Sequence, residues 1–284
     1  MVALRVLTDP SEFASLAAPR LGAMPAEHTV VATTLDDVLA GARSYPGAQW
    51  IVASDGADVA GLAMWTPPHP PYFGPMPMEA AAALGGVLAD QTEALHGING
   101  EADAVRGAVT AYQRRHPSRT VATTTGVRLH ELGALVQPAT PGVPRTATFD
   151  DWDLVLRWHR AFADDVAHPA TGIEEGMRLR LERGALVLWV VEGQPVSIAG
   201  RTGAVAGVSR VGPVYTPPEQ RGHGYGSAVT AEASRRARTP ESPTVVLFTD
   251  LANPTSNKIY AEIGYHPVRD YLEVGLGASN RGTF

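Results

Sequence analysis

Glycines at every second position, Gly222, Gly224 and Gly226, stand between two segments of different periodicity. Residues 205–216 before them read as a β-type run, and residues 228–238 after them repeat at helical spacing. Strand, glycine turn and helix start in direct succession commit the chain to an α/β fold with a sharp turn opening a helix. The first amides of a helix lack internal partners and sit at the positive end of its dipole, so such a turn attracts anionic oxygens. Glycine permits positive φ there and keeps side chains away from the backbone. Arg221, His223, Tyr225 and Ser227 complete the turn. Arg221 is suited to a charge-assisted bond to a phosphate.

Two familiar glycine loops do not fit. A Walker loop needs four residues between its glycines and then Gly-Lys-Ser/Thr, and the dinucleotide fingerprint is G-x-G-x-x-G near the start of a βαβ unit. A second patterned stretch follows the first. Residues 244–250 read as a buried strand, and Asn253 opens a helix that ends near Gly264. Asn253 can cap that helix with its side-chain oxygen, and Tyr260, seven residues on, returns to the same helical face.

Arg221, Gly224 and Gly226 match the R-x-x-G-x-G/A loop, and Asn253, Ser256, Tyr260 and Gly264-Tyr265 match the later motif, of the GNAT superfamily of acyl-CoA N-acyltransferases, which the chain resembles over residues 185–274. The resemblance implies a mixed α/β sheet whose central strands splay apart around coenzyme A. It implies cofactor contacts from Val214, Tyr215 and Thr216 on the first strand, from Arg221, Gly222, His223, Gly224, Tyr225, Gly226 and Ser227 in the turn, and from Asn253 and Ser256. It assigns Tyr260 as proton donor to the departing thiolate. The expected reaction is direct attack of an amine on the thioester of acetyl-CoA, with a small-molecule amine as acceptor. A non-catalytic acyl-CoA sensor, a different acyl group and a protein amine are the alternatives.

The Pro/Gly-rich stretch 136–144 reads as a linker, which divides the chain into residues 1–137 and 138–284. In the first part, residues 12–21, 78–94 and 101–115 read as helices, 49–53 and 59–65 as paired strands, and 120–132 as a further strand. In the second, residues 149–167 and 173–182 read as helices, and 185–191 with 195–201 as a hairpin. The similar order suggests two tandem GNAT-like halves, the first degenerate; an unrelated α/β lid is the other reading. The first half has no glycine loop, and Thr66-Pro67-Pro68-His69-Pro70-Pro71 stands where one is expected. Proline has no N–H to offer a phosphate.

Composition narrows the remaining classes. The chain has no cysteine, which removes disulfides, thiolate catalysis and Cys-based zinc sites. Its nine histidines show no metal spacing, so no metal is expected. A net charge of −6 gives nucleic acid no electrostatic help. No apolar run long enough to span a membrane and no leader is present, so a cytoplasmic protein is expected, with no membrane partner. Glu219, Asp250 and His266 are the candidates for a base, each more readily a surface, turn or ordinary residue. Trp152, Trp158, Asp164 and Asp165 are candidates for an acceptor pocket, although amphipathic packing with a solvated carboxylate pair is the favoured account of them.

Overall fold

The computed structural model describes residues 2–166 and 173–278. The chain forms two compact units. Unit 1 comprises Met1–Leu129, Asp250–Ala252 and Arg269–Phe284, and unit 2 comprises His130–Thr249 and Asn253–Val268.

In unit 1, β1 (Val2–Leu7) is followed by helices α1 (Pro10–Ala23) and α2 (Thr29–Leu39), then by β2 (Gln49–Asp55), β3 (Asp58–Trp65) and the short β4 (Tyr72–Phe73). Helix α3 (Met78–Gln91), β5 (Gly97–Glu101), α4 (Ala102–Arg115) and β6 (Arg119–Leu132) complete the first pass. Strands β1 to β4 pair antiparallel in order, β4 pairs parallel with β5, and β5 pairs antiparallel with the closing strand of the chain, Tyr265–Ala278. Both faces of the sheet are covered, so β2 is a continuous apolar run rather than an alternating one. Trp50 and Val52 pack with Phe13, Val31 and Leu35 of α1 and α2, whereas Ile51 packs with Leu84, Leu88, Val105 and Tyr112 of α3 and α4. Each such side chain contributes about 1.5–3 kcal/mol on burial. Helices α3 and α4 approach closely at Gly85, where an added Cβ would collide with the Ala108 backbone.

Unit 2 repeats the plan. Strand β7 (Val143–Thr146), α5 (Trp152–Asp165), α6 (Ile173–Glu182), β8 (Leu186–Val191) and β9 (Gln194–Arg201) lead to β10 (Val208–Tyr215), α7 (Tyr225–Ala237), β11 (Thr244–Asp250) and α8 (Pro254–Glu262); β12 is the closing strand. Strands β7 to β10 pair antiparallel in order and β10 pairs parallel with β11. Val187, Val196, Ala199 and Val245 face α7, while Leu186, Leu188 and Ile198 face α5 and α6.

Several sequence expectations need correction. The proline-rich residues 66–71 lie between β3 and β4, not at a helix start. The turn that opens α3 after β4 is instead residues 74–77, which read Gly-Pro-Met-Pro. Strand β7 begins inside the stretch read as a linker, and residues 265–278 form one long strand. The predicted helix over 149–167 begins as a 3-10 turn, Phe149–Asp151, and its end at Ala167 lies outside the described residues. Strands β1 and β4 and helix α2 carried no expectation. No helix among the described residues is long and apolar enough to cross a membrane.

Candidate active site

Strands β10 and β11 share a parallel ladder only from Val208–Thr244 to Val211–Leu247. Beyond it β10 stays with β9, pairing Val214 with Ala199 and Tyr215 with Ile198 after a bulge that follows Val211. The bulge is where the two parallel strands part, since an extra residue bends the strand that carries it. Gly212 sits there at φ +141°, and its carbonyl accepts from Arg180 Nη1 at 2.6 Å. Ser197 Oγ donates to the Tyr215 carbonyl at 3.0 Å, so the peptide groups of Tyr215 face β9. Because peptide groups alternate along a strand, those of Val214 face the opposite way, toward the side β11 has left.

The chain then makes the turn that the sequence singles out. Gly222 has φ +82° and Gly224 φ +81°, both left-handed, and Gly224 is the N-cap of α7 with no side chain to bond its first amides. The free amides of that first turn are thereby left for a ligand. Residues 221–224 are exposed. A Cβ at Gly222 would meet nothing, one at Gly226 would lie 3.3 Å from Thr216 Oγ1, and one at Gly224 would lie 3.1 Å from Thr140 Oγ1. Thr216 Oγ1 is itself 2.8 Å from Ser197 Oγ. The His223 ring stacks on Tyr225 with centroids 5.4 Å apart, and its Nδ1 is 3.3 Å from the Gln220 carbonyl.

Arg221 is not idle in this state. Its Nη2 donates to Asp165 Oδ2 at 2.7 Å and its Nε to the Thr216 carbonyl at 3.0 Å. Both partners of the ion pair are about half exposed, at 51% and 50%, and a pair of that kind contributes only about 0.2–1 kcal/mol. A phosphate can therefore draw the guanidinium away at little cost. The Tyr215 ring packs 6.2 Å from Trp158 among the α5–α6 core residues, its phenol is hydrogen-bonded to Arg221, and burial raises the phenol pKa.

Helix α8 gathers the second motif. Asn253 Oδ1 accepts from the Ser256 amide at 3.0 Å, and the Ser256 side chain is hydrogen-bonded to the Tyr260 phenol. Burial pushes that phenol up to about 12, so Tyr260 keeps its proton at neutral pH. Its ring meets Tyr265 edge-on at 6.2 Å, and the Tyr265 hydroxyl is 2.7 Å from Ser234 Oγ of α7, which ties α8 to the helix that carries the turn.

The three candidate bases take modest places. Asp250 Oδ1 accepts from the Ala252 amide at 2.7 Å and shapes the turn after β11, while Glu219 and His266 are exposed. Trp158 is core, and Trp152 lies beneath Arg178 at 5.5 Å. Sequence reasoning missed Thr140, which it placed in a linker; Ser197, a hydroxyl inside an apolar strand; and His159. His159 shares a small apolar cavity, large enough for about one water, with Trp158, Phe162, Met177, Pro213 and Tyr215. Burial and then the charge of Arg180 depress its pKa to about 4, so it is neutral at pH 7. No local signal in the sequence marks these three, because each matters through a neighbour distant along the chain. Among the described residues no group of three or more side chains is arranged to hold a metal ion.

Comparison with known proteins places this geometry. Residues 182–274 match the family model of FR47-like protein. No curated protein sequence matches the chain. Solved structures do. A GCN5-related N-acetyltransferase from Sphaerobacter thermophilus aligns with a TM-score of 0.61 at 16% identity, covering 98% of this chain and 96% of its own. A GNAT-family acetyltransferase from Colwellia psychrerythraea aligns at 0.58 and 12% identity, over 97% and 100%. A tandem GNAT protein from the clavulanic acid biosynthesis pathway aligns at 0.53 and 12% identity, over the whole of both chains. At such identities the likeness establishes the fold.

Proposed function

Taking the GNAT fold as premise, we propose that unit 2 binds acetyl-CoA and transfers its acetyl group to the primary amine of a small molecule. The observation that carries this reading is the side-chain-free cap of α7, set directly after a strand that leaves its parallel neighbour. That arrangement supports a site for a pyrophosphate on the amides of Gly222 to Ser227 and for an extended pantetheine arm along the backbone of Val214. Acetyl-CoA, when bound, supplies an acyl group activated as a thioester.

The residues of this chain perform the remaining tasks. A backbone N–H of the 214–216 segment donates to the developing oxyanion. As the amine nitrogen bonds the carbonyl carbon and the carbon–sulfur bond breaks, Tyr260, neutral and hydrogen-bonded to Ser256, would give the sulfur its proton and be reprotonated from solvent, which also takes the proton that the acylated nitrogen sheds. No cysteine is present to carry the acyl group, so both substrates must be bound together and proximity supplies much of the acceleration. An alkyl amine must first lose a proton that it holds about three units above neutral pH, which costs about 4 kcal/mol.

Thiol release from acetyl-CoA, followed against a panel of polyamines, aminoglycosides, amino acids and peptides, tests the reading. Tyr260→Phe should lower turnover about 100-fold while leaving coenzyme A affinity unchanged. Equal turnover in the two proteins removes Tyr260 from the chemistry. Tight cofactor binding with no amine turned over by the wild type points instead to a non-catalytic acyl-CoA sensor.

A further inference from the structure

Unit 1 lacks the glycine turn, yet it holds a buried polar layer. Tyr72 of β4 lies opposite Asn99 of β5, and Glu101, two residues on, lies opposite Tyr271 of β12; all four share one face of the sheet, as does Arg269. Tyr72 and Tyr271 stack there at 6.4 Å. Arg20 of α1 and the segment before α2 complete the layer. Arg20 Nη2 donates to the Pro75 carbonyl at 3.2 Å, the His28 ring lies against Gly74, and Tyr271 donates to the Glu27 carbonyl at 2.8 Å. These elements meet at the carboxyl ends of the parallel strands β4 and β5, where α/β sheets take their ligands.

The layer carries unmatched donors. Arg20 Nε, Arg269 Nε, both ring nitrogens of His28 and Thr29 Oγ1 are buried without a hydrogen-bond partner. His28 is wholly buried, at 0% exposure. A buried donor left unsatisfied costs about 1–3 kcal/mol, and neutral His28 has one N–H and one acceptor nitrogen, so Arg20 Nε, Arg269 Nε, the His28 N–H and the Thr29 hydroxyl are the donors in this neighbourhood that call for an acceptor. The acidic side chains nearby do not serve: Glu101 Oε2 is taken by the amides of Asp103 and Ala104 at the start of α4, and Arg269 stands 3.6 Å from Glu101 and 3.9 Å from Glu27, beyond hydrogen-bond range. Those two carboxylates balance the two guanidiniums, so the site is close to neutral and favours a single negative charge over two. Arg269, 36% exposed, leaves it open on one side.

We propose that unit 1 binds a small monocarboxylate, its two oxygens accepting from Arg20, Arg269 and His28. Burial, with Arg20 and Arg269, holds the free imidazole down near 4, and a bound carboxylate raises that value by offsetting the guanidinium charges. The groups facing it are Arg20 of α1, Glu27 before α2, Tyr72 of β4, Glu101 of β5, and Arg269 and Tyr271 of β12.

The test is NMR of the full chain with labelled histidines, titrated with sodium acetate, sodium phosphate and sodium chloride at fixed ionic strength. The His28 signal should move saturably with acetate, not with chloride, and less with phosphate than with acetate. Arg269→Gln should weaken the acetate response by about tenfold or more. Arg20→Lys keeps the charge, and the fold with it, but lacks the Nε–H, and should weaken the response similarly. No saturable shift with acetate, an equal shift with chloride, a stronger response to phosphate, or full acetate binding in both variants would overturn the assignment.

Discussion

The turns that open α3 and α7 occupy the same place in the two units, each between a strand that pairs parallel and the helix that follows it. Their chemistry is opposite. Before α3 stand Gly74, Pro75, Met76 and Pro77, of which two have no N–H at all. The Gly74 amide is spent on the Leu62 carbonyl at 2.9 Å and the Pro75 carbonyl on Arg20. Before α7 the turn is longer, carries left-handed Gly222 and Gly224, and ends on a cap with no side-chain bond. On the proposed reading one fold carries a phosphate cradle in one copy and not in the other, and the difference lies in a few turn residues rather than in the architecture. Unit 1 differs again in that His28 lies among charged groups, whereas His159 of unit 2 lies among apolar side chains beside Tyr215.

The largest effect expected from this contrast is on pH stability. His28 is held near 4 when folded and titrates near 6.5 when unfolded, so the unfolded state binds the extra proton between those values. The contribution of His28 is therefore full above about pH 6.5 and falls by about 3 kcal/mol as pH drops toward 4, and His159, also held near 4, adds a loss of the same sign. Urea unfolding at pH 7 and pH 4.5 should show that loss in the wild type and a smaller one in His28→Gln. An equal slope in both would show that His28 titrates normally.

Next comes the turn itself. Gly224→Val forces a β-branched residue into φ +81° with Thr140 Oγ1 close by, a strain of about 2 kcal/mol, so coenzyme A should bind about 30-fold more weakly by calorimetry. The corresponding N-cap in unit 1 is at φ −57°, which valine adopts without strain, and Pro77→Val should leave coenzyme A binding unchanged. If both variants bind as the wild type does, the contrast between the turns has no functional meaning.

Smaller effects sharpen the role of Arg221. Arg221→Met should weaken coenzyme A about tenfold through loss of a charge-assisted bond. Asp165→Asn should tighten it about two- to threefold, because it frees the guanidinium from a half-exposed ion pair. Weaker binding in Asp165→Asn would mean that the pair pre-orients Arg221 rather than restrains it.

Legibility in the sequence follows how local each cause is. The strand at 244–250 and the helix at 173–182 were read to the residue, because apolar runs and capping patterns act over neighbouring positions. The Asn253 cap, with Tyr260 two turns on, was read in the same way. Helix α2, β1 and the two-residue β4 were not, since their place is set by packing and strand pairing across distant parts of the chain. Proline content points to residues 66–71 as the degenerate turn, whereas the position is fixed by β4, too short to leave a periodic signal. Arg221 was legible as a candidate phosphate ligand; its grip on Asp165, 56 residues away, was not.

Isothermal titration of the intact chain with coenzyme A bears most directly on the claim that one turn of two is a phosphate cradle. The account predicts one binding event per chain, weakened by Gly224→Val and indifferent to Pro77→Val. Two equivalents per chain, no heat at all, or equal sensitivity to the two substitutions would contradict it.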